Sequence, residues 1–513
     1  MPMRPTRVLL VSLLVGLLPI VVGCSRKSYR VPGDAEPTNQ QVRIFPDYRD
    51  VTIPPNIAPL NFLIYNADRR SVVSIRGEAS EIVGGAGKDG VVQFDADEWS
   101  ALLSSNAGKQ LSVTVYSQSE TKQWFKHPGW TLTVAPDTID SYLSYRLIEP
   151  GYELYRQLGL YQRNVTNFDV TTIYQNNSKY EDQGNHCANC HNYQNYTAAS
   201  GMLFHVRAAY GGTVVARGDQ IKKFNIKHDS LSATPTYPAW HPTMPLVAFS
   251  CNLVGQTFHT VDLEKIEVLD HGSDLALYDV ENNQLSHIRS TRSEMETFPT
   301  WAPSGDRLYY CSTYLEYPEG MSDSIYIAEI TRRYKWLYYD IYSMPFDTLT
   351  KEFGEPRLEV NCAAMHKSAS VPRISSDGRY LLFTLGDYGQ FHIWHHSADL
   401  YVKDLETDSV YPLSAANSKA AESFHSWSST GRWIAFSSRR DDGNFTRVYI
   451  AYFDRDGKAH KAFMLPQEDP RHNLRLFKSY NVPELTRDAV AFSTSEIRRV
   501  VRQTEAEPVS FKK

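Results

Sequence analysis

Four stretches in the second half of the chain repeat one another, and they constrain the fold more than any other feature of the sequence. Pro238-Ala-Trp240 runs on to Phe249, Pro299-Thr-Trp301 to Tyr310, Pro372-Arg-Ile374 to Phe383, and His425-Ser-Trp427 to Phe436. In each copy the Trp or Ile stands nine positions before the closing aromatic residue. Gly305, Gly378 and Gly431 supply a turn between the two arms, whereas the first copy has Met244-Pro245 there. An apolar arm, a turn and a second apolar arm make a β-hairpin. Leu203-Phe204 closes a weaker first copy, and Asp488-Ala-Val-Ala-Phe492-Ser a weaker last one. Closing aromatics at 204, 249, 310, 383, 436 and 492 predict a radial array of small sheets. The 32 Tyr, 22 Phe, 28 Gly and 27 Pro suit such a β-rich chain better than a helical bundle.

The four clear copies resemble the repeats of TolB-type β-propellers, whose signature is Pro-x-Trp-Ser-Pro-Asp-Gly followed by an apolar strand. The resemblance covers residues 195–513 and implies a six-bladed propeller. It implies no activity, since propellers host enzymes, binders and scaffolds alike. Ahead of it, residues 46–135 alternate apolar and polar in short runs such as Leu60–Tyr65 and Leu111–Tyr116, and predict a small β-sandwich of immunoglobulin-like type. Residues 136–194 read as a helical connector, because Leu154, Leu158 and Tyr161 follow Pro150 at helical spacing. The fold class is therefore mainly β: a propeller preceded by a sandwich and a short helical segment.

The N-terminus is an address. Arg4 and Arg7 precede an apolar run from Val8 to Val22, too short to span a bilayer comfortably, and Gly23-Cys24 follows. Residues 1–23 read as an export signal, and Val21-Val22-Gly23-Cys24 resembles the lipobox of bacterial lipoproteins, which implies lipidation of Cys24. An ordinary signal with an incidental cysteine is the alternative. Residues 24–45 then form a polar tether with Pro32, Gly33 and Pro37. These readings put the protein in the bacterial cell envelope, held to a membrane by lipid. With 53 Lys+Arg against 58 Asp+Glu, a formal charge of -5 and no basic tract, nucleic acid is not an expected partner.

One motif carries chemistry. Residues 187–191 read Cys-Ala-Asn-Cys-His, the attachment pattern of a c-type haem. Two thiols three positions apart reach the two vinyl groups of one porphyrin, and the adjacent imidazole turns to the iron. A zinc ribbon would need a second cysteine pair, and the others are isolated. A thioredoxin-like pair would need a βαβ setting. A disulfide between Cys187 and Cys190 would close a strained small ring. The motif predicts one covalent haem c on Cys187 and Cys190, with His191 as the proximal iron ligand. Met202 and His205 are the alternatives for the sixth position, and an extended segment lets only one of them face the iron. His186 adjoins the attachment site and is poorly placed for the opposite face.

Cys251, Cys311 and Cys362 are expected to be free and buried, because Cys251 and Cys311 fall at different strand phases. The insertion with Tyr334-Lys-Trp-Leu-Tyr-Tyr-Asp-Ile-Tyr reads as a strand pair or a binding wall. His392, His395 and His396 read as hydrogen-bonded blade-edge histidines or as metal ligands. Arg439, Arg440, Asp441 and Asp442 read as solvated or salt-bridged loop residues. Haem motif and repeats together resemble a group of bacterial lipoproteins joining a Cys-x-x-Cys-His segment to a TolB-like propeller, for which no defined reaction is implied. Electron transfer to a protein partner is the first expectation. A scaffold or binding protein for an envelope protein or glycan, with a structural or sensory haem, is the second. No acid–base pair, nucleophile elbow or phosphate loop supports an enzyme.

Overall fold

The computed structural model describes residues 29–65, 69–149, 158–176 and 186–512. The export signal and Cys24 lie outside them. No helix among the described residues is long and apolar enough to cross a membrane.

The repeats fold as the hairpins their spacing predicts. Trp240 pairs with Val247 across Thr236–Trp240 and Leu246–Phe258, and Trp301 with Leu308 across Glu294–Trp301 and Arg307–Tyr314. Gly305, Gly378 and Gly431 take φ of 78°, 79° and 66°, the left-handed turn conformation that glycine adopts without a Cβ penalty. Where the first copy lacks the glycine, His241 does the turn's work: its Nδ1 accepts the backbone N–H groups of Thr243 and Met244.

Each hairpin is the start of an antiparallel meander, and the meanders follow one another along the chain. The second sheet runs His186–Gln194, Thr197–Ala208, Gly212–Arg217, Gln220–Asn225. The third begins at Thr236–Trp240, the fourth at Glu294–Trp301, the fifth at Ser368–Ile374 and the sixth at Glu422–Trp427. The first sheet is assembled from both ends of this region. Tyr142–Ile148, Gly159–Asn164 and Val170–Gln175 supply three strands, and Ser479–Thr486 pairs antiparallel with Tyr142–Ile148 as the fourth.

Here the structure corrects three expectations. The connector is strand, not helix: the Leu158–Tyr161 periodicity is overridden because this segment pairs on both sides; Leu154 lies outside the described residues. The last repeat does not close at Phe492. Its segment is irregular and leads into the helix Thr494–Gln503, whose N-terminus Ser493 and Glu496 tie in a capping box. The aromatic insertion forms the helix Asp323–Arg333 and a 3-10 turn before the strand Asp340–Asp347, not a strand pair.

Apolar residues pack between successive sheets. Leu160, Ile173 and Tyr174 of the first sheet meet Tyr193, Met202 and Phe204 of the second. Leu203 and Phe224 meet Trp240, Phe249 and Tyr278, Leu246 and Leu277 meet Trp301 and Tyr310, and Cys311 and Ile341 meet Leu381 and Phe383. Leu382 and Leu400 then meet Trp427 and Phe436. Trp433 and Ile450 of the sixth sheet share a cluster with Leu143, Tyr145 and Leu485 of the first. The same cluster takes in the N-terminal unit, where a seven-stranded and a three-stranded sheet enclose the helix Ala96–Ser105. That helix departs from the immunoglobulin-like expectation. Asp95 caps it by accepting from the N–H groups of Asp97 and Glu98, and Trp99, Leu102 and Leu103 are its buried face.

Leu485 sits fully buried on the strand that completes the first sheet. Leu485→Ala is expected to cost about 2–5 kcal/mol of stability in urea unfolding. Leu253→Ala, at a half-exposed position of the Leu246–Phe258 strand, is expected to stay within about 0.5 kcal/mol.

Candidate functional site

One end strand of each of these six sheets carries the same irregularity: the first strand of the second to sixth sheets, and Ser479–Thr486 of the first. The ladder slips between Asn189 and Asn192, Thr236 and Ala239, Thr297 and Thr300, Ser370 and Arg373, and Ser423 and Ser426. The first sheet slips too, opposite Ser144 and Arg146. At each slip one non-glycine residue takes a left-handed φ: Cys190 53°, Tyr237 45°, Phe298 53°, Val371 52°, Phe424 46° and Val482 50°. Such conformations cost of order 1–3 kcal/mol for bulky residues and persist only where the surroundings impose them. All six line one cavity of about 1100 Å³. Five of them build an apolar and aromatic wall, and the sixth position is a haem-motif cysteine.

The bulge also explains how the motif works as a surface. In an unbroken strand Cys187, Asn189 and His191 would share one face and Cys190 would point to the other. The left-handed residue at 190 breaks that alternation, and all four side chains line the cavity. Ala188 remains in the core between the first two sheets.

His191 is almost fully buried, and its ring nitrogens have no close, well-aligned hydrogen-bond partner, although the Ser144 and Val482 backbones lie near enough to favour its protonated form slightly. Its Nε2 lies 4.0 Å from Oε2 of Glu484. Burial, reinforced by the Arg146 charge, lowers the imidazole to about 4, so the ring is neutral with a lone pair to offer. Burial raises Glu484 to about 7, although its Oε1 accepts from Asn192 Nδ2 and the Tyr193 N–H. Cys187 is buried and its thiol is raised by burial, with Arg146 and Arg207 pulling the other way.

The two candidates for the sixth position part company. Met202 pairs with Tyr193 and packs among Tyr174, Phe204 and Val214 in the core between sheets, away from the cavity lining. His205 lines the cavity. Its Nδ1 is 2.8 Å from Thr213 Oγ1, and its Nε2 is buried without a partner. Burial lowers it to about 3, which keeps it neutral. Strand alternation separates the pair: Met202, Phe204 and Val206 face the core, Leu203 and His205 the opposite side. His186 approaches the Tyr174 hydroxyl at 2.6 Å and does not line the cavity.

The residues present fit a covalently held porphyrin. Two thiols and a buried imidazole face one space, and its volume matches the upper end of ligand pockets, about 300–1,000 Å³. Tyr237, Phe298, Phe391, Trp394 and Phe424 give it an apolar wall.

Other residues singled out by sequence fall elsewhere. Among the described residues no three His, Cys, Asp or Glu side chains are grouped to hold a metal ion. His392 meets Ser370 Oγ and the Tyr388 carbonyl, His395 bonds Glu267 and His396 bonds Glu264. Cys251, Cys311 and Cys362 are free and buried. Arg439 is neither solvated nor salt-bridged: it lies 3.5 Å from the Trp394 ring centroid and donates to the Ile393 carbonyl on the cavity wall. The five left-handed wall residues were missed. Their signal is an apolar residue three positions before each Trp, Ile or Leu, in Tyr-Pro-Ala-Trp240, Phe-Pro-Thr-Trp301, Val-Pro-Arg-Ile374 and Val-Pro-Glu-Leu485.

No protein-family model matches the chain, and no curated protein matches it. Among solved structures it is similar to a puromycin-hydrolysing peptidase of Mycobacterium tuberculosis, at 9% identity and a TM-score of 0.35, over 63% of this chain and 45% of that one. The chain thus spans less than half the length of that peptidase. It is similar to an oligogalacturonate lyase of Vibrio parahaemolyticus, at 12% identity and 0.33, over 83% and 100%. It is also similar to the β-propeller domain of the Trilobed protease of Pyrococcus furiosus, at 10% and 0.31, over 70% and 95%. Likeness at this level says nothing of activity.

Buried neutral histidines make the fold acid-sensitive. Burial lowers His392 and His425 to about 3, below the unfolded value near 6.5. Below pH 6.5 the unfolded chain therefore binds protons that the native state refuses, and stability falls as pH drops toward 3. His425→Gln is expected to flatten this loss, measured as the slope of thermal midpoint against pH between 6.5 and 4.

Proposed function

We propose that the chain is a lipid-anchored haem protein of the cell envelope whose six sheets are the blades of a TolB-like β-propeller, and that it transfers electrons to a protein partner. The observation that carries this reading is the cavity wall on which Cys187, Cys190 and the buried His191 ring converge. The blade count rests on the six meanders, each packed on the next, and on Ser479–Thr486 joining the chain's end to its first sheet.

In this reading Cys187 and Cys190 would hold one haem c through their sulfurs, and His191 would ligate its iron. When bound, the iron supplies reversible one-electron exchange. The protein's part is to orient and to insulate. The buried, neutral His191 needs no deprotonation to ligate, and Glu484 4.0 Å from its Nε2 fixes the ring's surroundings. The aromatic wall excludes water from the ring face. His205 is the second ligand the geometry favours, since Thr213 engages its Nδ1 and leaves Nε2 available.

Protein purified from a host with active cytochrome c maturation is expected to keep its haem through acid-acetone extraction and to show sharp low-spin bands. Cys187→Ser and Cys190→Ser are each expected to weaken retention, and the double variant to abolish it. A retained high-spin haem would favour a sensory or catalytic site, and no haem beside a maturing control would leave a binding scaffold. Separately, Cys24→Ser is expected to move the protein from the membrane to the soluble fraction on cell fractionation.

A further inference from the structure

The cavity is basic, although the chain as a whole is acidic. Among the described residues Arg146, Arg207, Arg373, Arg439 and Lys227 line it, against Glu505 as the one acidic residue. Among the described residues none of the four arginines has a carboxylate within ion-pair distance. Arg439 is accounted for by its stacking on Trp394 and its bond to the Ile393 carbonyl, and Arg373 donates to the carbonyl of Pro372 and feels the charge of Glu484. Arg146 and Arg207 have no such employment. Both line the cavity wall that also carries Cys187, Cys190 and His191.

Arg146 is half-buried with its Nε enclosed and unpartnered, and Arg207 is exposed at the edge of the cavity beside the Ala208–Gly212 turn. Enclosing a cationic fork without a counter-ion is costly, and planar arginine forks match carboxylates in two parallel hydrogen bonds. We propose that Arg146 and Arg207 form a carboxylate-binding site on the cavity wall that takes the two propionates of the porphyrin. This proposal rests on the haem reading for the source of the carboxylates. The site itself, an anion site in the cavity, stands apart from that source.

Full-length protein made without cytochrome maturation is titrated with protoporphyrin IX and with its dimethyl ester, which keeps the ring and removes both charges. Binding is read by quenching of tryptophan fluorescence. The free acid is expected to bind at least about tenfold more tightly than the ester, roughly one good charge-assisted contact. Arg207→Gln alone, and Arg146→Gln with it, are expected to narrow that ratio below about threefold, with Arg207→Lys between them. Arg207 is exposed, so its replacement leaves the fold intact, and the urea midpoint of each variant checks this. Equal affinity for acid and ester, or a ratio unmoved by both arginine variants, overturns the proposal. A separate arm titrates succinate. Arginine-dependent succinate binding, with no preference for the porphyrin acid over its ester and no covalent haem in a maturing host, keeps the anion site and overturns the propionate assignment.

Discussion

The left-handed kink in each inner strand is the constraint on which the rest depends. It places a non-glycine residue where L-amino acids pay for their Cβ, and it does so on six strands whose residue there is Cys, Tyr, Phe in two strands or Val in two. What they share is the next step: Pro238, Pro299, Pro372 and Pro483 follow four of the kinked residues, and His191 and His425 follow the other two. Proline has no N–H to lose from the ladder at a slip in register. The kink turns one extra side chain per strand toward the centre, so the cavity is lined more densely than alternation would allow. The strain is repaid by packing, since Phe298, Val371, Ile393 and Phe424 form a buried cluster of their own.

The haem motif uses the kink differently from its neighbours. Elsewhere the left-handed residue is apolar and fills the centre, whereas at 190 it is a thiol and His191 stands where most strands have proline. An ordinary strand would have pointed the two cysteines to opposite faces. The chain has thus placed a two-thiol, one-imidazole pattern at the single phase of the repeat where all three side chains reach the same space. This is a local reason for the motif to sit in the second sheet and not in the tether or the N-terminal unit.

Much of the architecture was legible because period and turn chemistry agreed. Trp240, Trp301, Ile374 and Trp427 each pair across a tight turn, and glycine occupies the left-handed position where it is present. The first sheet was not legible. Its partner strand Ser479–Thr486 lies more than three hundred residues from Tyr142–Ile148, and no local pattern records such a pairing. Leu158 and Tyr161 fit a helix by spacing, but pairing on both sides decided the matter. At the site, residue identities pointed to Cys187, Cys190 and His191, and alternation foretold that Met202 and His205 would face apart. Which one faces the cavity needed the neighbouring sheets, because an apolar layer and a lined cavity look alike along a single strand. The arginines were invisible for a related reason: Arg146 and Arg207 come from different sheets and line one cavity only in the folded chain.

The pairing of Tyr142–Ile148 with the distant Ser479–Thr486 in one sheet sets an order in time. Until residues 479–486 have emerged, Tyr142–Ile148 has a bare edge, and the wall that holds Asn481 and Val482 does not exist. Beyond that strand, Glu507–Pro508 and Ser510–Phe511 lie parallel along the outer edges of the second and third sheets. The wall beside the cysteine motif is therefore finished by a segment remote from it in sequence.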